Sequence, residues 1–269
     1  MRQSRIAACS SSFLLAVACT FTGAATAQAA PQTAAMGYAA LGDSYSAGVG
    51  AGSYLASSVD CLRSSRAYPA LWAAAHSPSS FSFTACNGAH TSDVLNRQLG
   101  VLSTRTGLVS ISVGGSDSGF SDVMTTCVLR GDSACLSAIA QARSYMDGTL
   151  PGDLDRLYTA IRRKAPAARV VVLSYPHLYK LNGSCKGGLS ETERSAINNA
   201  VDHLDGVIAK RVADHGFAFA DVRSSFTGHE ICSTSPWLRS VNWLAVTESY
   251  HPTELGQSRG YLPVFAGAT

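Results

Sequence analysis

Five short runs of apolar and β-branched residues punctuate the chain: "GYAAL" (Gly37–Leu41), "FSFTA" (Phe81–Ala85), "LVSISV" (Leu108–Val113), "RVVVLSY" (Arg169–Tyr175) and "FAFADV" (Phe217–Val222). The third and fourth are almost continuously apolar, the pattern of strands covered on both faces. Helical spacing appears between them. Residues 67–76 and 90–99 each predict one helix, and 133–165 predicts one or two, broken near Gly148–Pro151. A long helix is expected across 190–214, opened by the capping box Ser190-Glu-Thr-Glu193 and stopped near Gly216. Strands alternating with helices imply right-handed crossovers and a mainly parallel sheet between helical layers, an α/β fold. In such sheets ligands gather beyond the carboxyl ends of the strands. Three polar, glycine-bearing blocks stand there: "GDS" after Leu41, "CNGAH" after Ala85 and "GGSD" after Val113.

The N-terminus departs from this alternation. Arg2 and Arg5 precede an apolar stretch, Phe13–Ala25, and then Ala27-Gln28-Ala29, a small-x-small cleavage pattern. Residues 1–29 therefore read as a secretory signal peptide, cleaved somewhere from 29 to 33; the run is too short and too rich in Ala, Thr and Gly for a membrane anchor. Residues 30–269 carry no linker, repeat or second apolar span and read as a single exported, extracellular domain. Of 21 Lys and Arg, 19 remain after Arg2 and Arg5 are removed, against 18 Asp and Glu. That balance offers no footprint for nucleic acid. Cys9 and Cys19 leave with the signal, so six cysteines remain: Cys61, Cys86, Cys127, Cys135, Cys185 and Cys232. An even count in an exported chain argues for three disulfides, with no pairing fixed by spacing, and no zinc-type spacing is present.

Ser44 in "ALGDSYSAGVG" invites three readings: nucleophile, phosphate-loop residue or turn residue. The glycines fit neither G-x-G-x-x-G nor G-x-x-x-x-G-K-[ST]. The elbow G-x-S-x-G also fails, since Ser46 stands at its second glycine. A different serine-hydrolase pattern fits. Gly42-Asp43-Ser44, Gly88, Gly114-Gly115-Ser116-Asp117 and Ser249-Tyr250-His251-Pro252 follow one another in the order of the four blocks of the GDSL or SGNH hydrolases, and the chain resembles that family over most of its length. The longer wording, "YPALWAA", "FTACNGA", "GGSDSGF" and "SYHPTELGQSRGYLPV", resembles its secreted Streptomyces-type lipases and phospholipases A1. The resemblance implies a three-layer α/β/α, flavodoxin-like domain with a five-stranded parallel sheet. It also implies the disulfides Cys61–Cys86, Cys127–Cys135 and Cys185–Cys232, and an oxyanion hole from Ser44, Gly88 and the residue at 116.

The chemistry of the residues agrees with that picture. A serine hydroxyl needs a base to take its proton as it attacks, and histidine suits. His251 is the candidate among seven histidines; His76 and His215 sit near predicted helix ends, His177, His203 and His229 have no partner pattern, and His90 is a candidate for lining the cleft. Two groups compete to orient His251. One is Glu248, at the position where the family commonly has Asp; the other is the backbone carbonyl of Ser249, as in the Streptomyces-type enzymes, which is slightly favoured. Ser116 stands where the family has asparagine, a shorter donor in the oxyanion hole, and Asn87 is the neighbour that could compensate. Asp43 and Asp117 read as turn-holding carboxylates. Candidate walls of an acyl cleft lie in Pro236–Val246, with Trp237, Leu238, Trp243 and Leu244, and in the loop Val49–Leu55. The expected function is lipid ester hydrolysis through an acyl-enzyme on Ser44, by a monomer needing no cofactor or metal, with at most transient contact with a lipid surface. A carbohydrate deacetylase, a thioesterase and a non-catalytic binding protein are the alternatives.

Overall fold

A computed structural model of the chain describes residues 36–183, 185 and 188–269; the expected signal peptide lies outside them. Five strands, β1 (Gly37–Gly42), β2 (Ser80–Phe83), β3 (Thr106–Ser112), β4 (Arg169–Leu173) and β5 (Ala218–Ala220), form one sheet. Their order is β2-β1-β3-β4-β5 and every pairing is parallel, the flavodoxin-like order with its switch point between β1 and β3. All six residues of β1 and four of the five in β4 are buried. β2 is a partly exposed edge strand that stops at Phe83, two residues short of the expected end.

Among the described residues seven α-helical segments surround the sheet: α1 (Ser44–Ala47), α2 (Tyr68–His76), α3 (Thr91–Asp93), α4 (Phe120–Gly148), α5 (Leu150–Lys164), α6 (Glu191–Asp214) and α7 (Leu262–Ala268). α2 packs with α7, and α4, α5 and α6 pack on one another, giving three layers. Tyr38 of β1 meets Trp72 edge-on and stacks on Phe265, while Leu154, Tyr158 and Ile161 of α5 are fully buried. Disulfides join Cys61 to Cys86, Cys127 to Cys135 and Cys185 to Cys232.

Two expected helices differ from what is found. The helix expected over 90–99 is α only at Thr91–Asp93 and then widens into a π turn over Val94–Gln98. There the Gln98 amide bridges both the N–H and the carbonyl of Gly42, so tertiary bonding overrides regular winding. The helix expected from 133 begins at Phe120 instead and bends at Gly131 (φ 73°, ψ 179°), a kink spanned by the Cys127–Cys135 bridge. Glycine in that conformation breaks the helical spacing and hides the first half of α4. The break at Gly148–Pro151 and the Ser190–Glu193 capping box occur where expected.

Candidate active site

β1 ends in Gly42 (φ +118°), where a Cβ would stand 2.3 Å from the Ser112 carbonyl oxygen of β3; only glycine fits this close approach. Asp43 follows as the N-cap of α1. Its carboxylate accepts the Tyr45 N–H (3.0 Å), the Ser112 hydroxyl (2.7 Å) and the Tyr175 hydroxyl just past β4. The Tyr175 oxygen in turn accepts the Gly115 N–H (3.1 Å), so one buried carboxylate links the ends of three strands. Burial outweighs these donors and pushes the Asp43 carboxyl up to about 6, leaving it ionised at neutral pH. Its role is the turn-holding one expected of it. Asp117 likewise accepts the Thr91 N–H and hydroxyl, tying the third block to the second.

Ser44 opens α1, and His251 arrives from the far end of the chain with its Nε2 2.7 Å from the Ser44 Oγ. On its other side the His251 Nδ1 lies 3.0 Å from the Ser249 carbonyl. A carbonyl only accepts, so the proton sits on Nδ1, and Nε2 is left to accept from the serine hydroxyl. Backbone bonds between Arg239 and both Tyr250 and His251 hold this segment, and the Tyr45 hydroxyl donates to the Tyr250 carbonyl (2.9 Å). Gly50 admits the histidine, since a Cβ there would come within 2.9 Å of the His251 Cβ. Burial pushes the imidazole from about 6.5 down to about 4, against the upward pull of the Ser249 carbonyl and the Glu248 charge.

The Glu248 carboxylate does not contact the His251 imidazole; the two residues meet only where the His251 N–H donates to the Glu248 carbonyl (3.3 Å). The carboxylate accepts the Tyr54 hydroxyl (2.6 Å) and lies 3.3 Å from Arg239, bracing the loop around Gly50. The remaining histidines stand outside the Ser44 cavity. His177, His203 and His215 do have partners, Asp202, Asp147 and Asp155, in hydrogen-bonded contacts away from the cavity. His90 caps α3 beside Asp93 instead of lining the cleft.

A cavity of about 410 Å³ opens over Ser44 and His251. Asn87, Gly88 and Ser116 line its polar end. Gly88 adopts φ +71° with open space beside it, so backbone conformation, not crowding, calls for glycine. Among the described residues neither the Ser44 nor the Gly88 N–H has a protein acceptor, and the Ser116 hydroxyl makes no hydrogen bond. The other walls are mainly apolar, with Phe120, Met124, Val128 and Leu129 from α4 and Val241, Trp243 and Val246 from the segment before His251, interspersed with Ser121, Thr125 and Thr247. Of the expected Pro236–Val246 wall, Val241, Trp243 and Val246 line the cavity. Trp237 stacks on His229, Leu238 is buried in the core, Leu244 points to solvent, and the Val49–Leu55 loop serves the histidine side of the site. The α4 wall was missed in the sequence because its helix was; Phe120, Met124 and Val128 recur every four residues, the signal that could have found it.

Comparison with known proteins agrees with this architecture. The chain matches the GDSL-like Lipase/Acylhydrolase family over residues 40–259. It is 65% identical to "Lipase 1" of Streptomyces coelicolor over 268 residues, covering 100% of both chains. The structure superposes on phospholipase A1 from Streptomyces albidoflavus with a TM-score of 0.86 and 59% identity, covering 88% of this chain and 100% of that one. It superposes on the extracellular lipase of Streptomyces rimosus with a TM-score of 0.85 and 61% identity, covering 87% and 100%. With the ordered blocks, the parallel sheet and this match along most of its length, the chain belongs to the GDSL-like Lipase/Acylhydrolase family.

Proposed function

We propose that the chain is a carboxylic ester hydrolase of lipids, a triacylglycerol lipase or phospholipase A1, working through a Ser44–His251 dyad. The observation that carries this reading is the 2.7 Å Ser44–His251 contact at the floor of an apolar-walled cavity. As the Ser44 oxygen attacks the ester carbonyl, His251 Nε2 takes its proton and then returns it to the departing alcohol. Water then attacks the acyl-enzyme, His251 again acting as base, and releases the fatty acid and free Ser44. The Ser44 and Gly88 N–H groups serve the oxyanion, with Ser116 as a third donor. The Ser249 carbonyl orients the imidazole, because Glu248 is engaged by Tyr54 and Arg239. An acyl cavity walled by Phe120, Met124 and Val128 favours lipid esters over acetylated sugars, which need polar partners. Export through residues 1–29 and action as a monomer belong to the same reading. Among the described residues no helix is long and apolar enough to cross a membrane.

The purified mature chain is expected to be labelled by a fluorophosphonate and to hydrolyse triglyceride and phospholipid faster than acetylated sugar. Ser44→Ala should lose both properties; an unlabelled native chain would overturn the assignment in favour of a binding protein. The lowered His251 value sets the pH dependence. The base is neutral above about 4, so kcat/KM should hold down to that region and fall below it. The same group contributes stability above about 6.5 that is lost as the pH falls toward 4, because in that window only the unfolded chain takes up the proton. An acid limb near 6 that persists in Asp43→Asn would contradict a buried base.

Glu248→Gln should lower kcat less than about tenfold, whereas a loss of about ten-thousand-fold, the scale of a removed triad acid, would make Glu248 the third member. Ser116→Asn should raise kcat, since one oxyanion donor is worth about a hundred- to a thousand-fold. An unchanged rate, paired with a large loss in Asn87→Ala, would identify Asn87 as the compensating donor.

A further inference from the structure

Large apolar side chains that packing does not explain gather at the mouth of the Ser44 cavity. Leu244 is 99% exposed, Trp243 68%, Leu129 64% and Val246 62%. Leu129, Trp243 and Val246 also line the cavity, so the patch is continuous with the acyl-binding walls. Single exposed apolar residues are ordinary, but a contiguous group around a binding cavity marks an interaction surface.

The turn that carries three of them is built to face outward. The Asn242 side chain accepts the Leu244 N–H (3.0 Å) and its carbonyl accepts the Ala245 N–H (3.1 Å), presenting Trp243-Leu244 to solvent. The Asn242 N–H donates to the Ser249 hydroxyl (2.9 Å), which fastens the turn to the residue whose carbonyl holds His251. Ser240–Thr247 contains no charged residue, and the flanking Arg239 and Glu248 pair with each other at 3.3 Å. A segment with no free charge suits a surface of no net charge, and an indole, apolar with one polar N–H, suits the boundary between water and acyl chains.

We propose that Leu129 and the Trp243–Val246 turn form a docking surface for a zwitterionic lipid surface, seating the chain so that its cavity opens directly into lipid. The inference rests on the lipid-ester reading above. Substrate then passes from the aggregate to Ser44 along one apolar wall without crossing water. Attachment depends on apolar burial and not on charge, so salt changes it little.

The test uses the mature chain as Ser44→Ala, with vesicles of phosphatidylcholine alone and vesicles that also contain an anionic phospholipid. Co-sedimentation measures partition, and quenching of tryptophan by brominated phosphatidylcholine reports insertion. The parent is expected to bind phosphatidylcholine vesicles with quenched fluorescence, and Leu244→Asp to weaken partition by about tenfold or more. Leu244 does not line the cavity, so in the active chain Leu244→Asp should hydrolyse soluble p-nitrophenyl butyrate within about twofold of native while losing activity on vesicles. Unchanged partition in Leu244→Asp overturns the proposal, as does binding that requires anionic lipid and vanishes with salt. Self-association that is abolished by Leu244→Asp, without vesicle binding, would instead make this face a contact between two copies. Vesicle binding by a chain that hydrolyses no ester would sink the catalytic reading and leave the docking surface standing.

Discussion

The buried carboxylate of Asp43 is the constraint on which the site depends. It caps the helix that begins with Ser44, receives the Ser112 hydroxyl from β3 and the Tyr175 hydroxyl after β4, and through Tyr175 reaches the Gly115 N–H. A charge taken out of water is costly unless its lone pairs are occupied, so these donors hold their places as firmly as the carboxylate holds its own. The consequence is geometric. The loops after β1, β3 and β4, which present Ser44 and Ser116, are fixed to a common point at the carboxyl edge of the sheet.

His251 is set by a second system, which meets the first at Tyr45. The Arg239 backbone pairs with Tyr250 and His251, Gln257 bridges the Tyr68 N–H and the Tyr45 carbonyl, and Gly50 leaves room for the imidazole. Each bond is ordinary, but together they place a ring from residue 251 within hydrogen-bond reach of residue 44. Burial is also what depresses the imidazole, making it a base that stays neutral over a wide pH range, though a weaker proton acceptor than a solvent-exposed histidine. The nearby Glu248 carboxylate braces the loop, and in the proposed dyad the group beside the His251 Nδ1 is the Ser249 backbone carbonyl, which no side-chain substitution removes.

The two sides of the cavity come from distant parts of the chain for a physical reason. Its polar end is made of turns after strands, where backbone N–H groups are free to face a ligand. Its apolar walls come from the first half of α4 and the Val241–Val246 segment, where Phe120, Met124, Val128 and Val241 continue the hydrophobic core to the cavity. The site joins fixed dipoles at the strand ends to an apolar channel that leads outward.

What the sequence determined alone is what is local or ordered along the chain. Short, largely apolar runs marked the strands and helical spacing the segments between them, while the glycine and proline at Gly148–Pro151 and the Ser190–Glu193 capping box marked a break and a helix start, because burial and backbone capping are imposed locally. The order of Ser44, Gly88, the Gly114–Asp117 block and His251 pointed to the family, since the blocks survive as short linear motifs. Tertiary structure decided the rest. That Glu248 turns to Tyr54 and Arg239, that Trp237 and Leu238 leave the cavity while Phe120 and Met124 enter it, and that Leu244 faces water are matters of which distant surfaces meet. Spacing cannot encode them, because each depends on partners tens to hundreds of residues away and on a helix whose kink at Gly131 interrupts its own pattern.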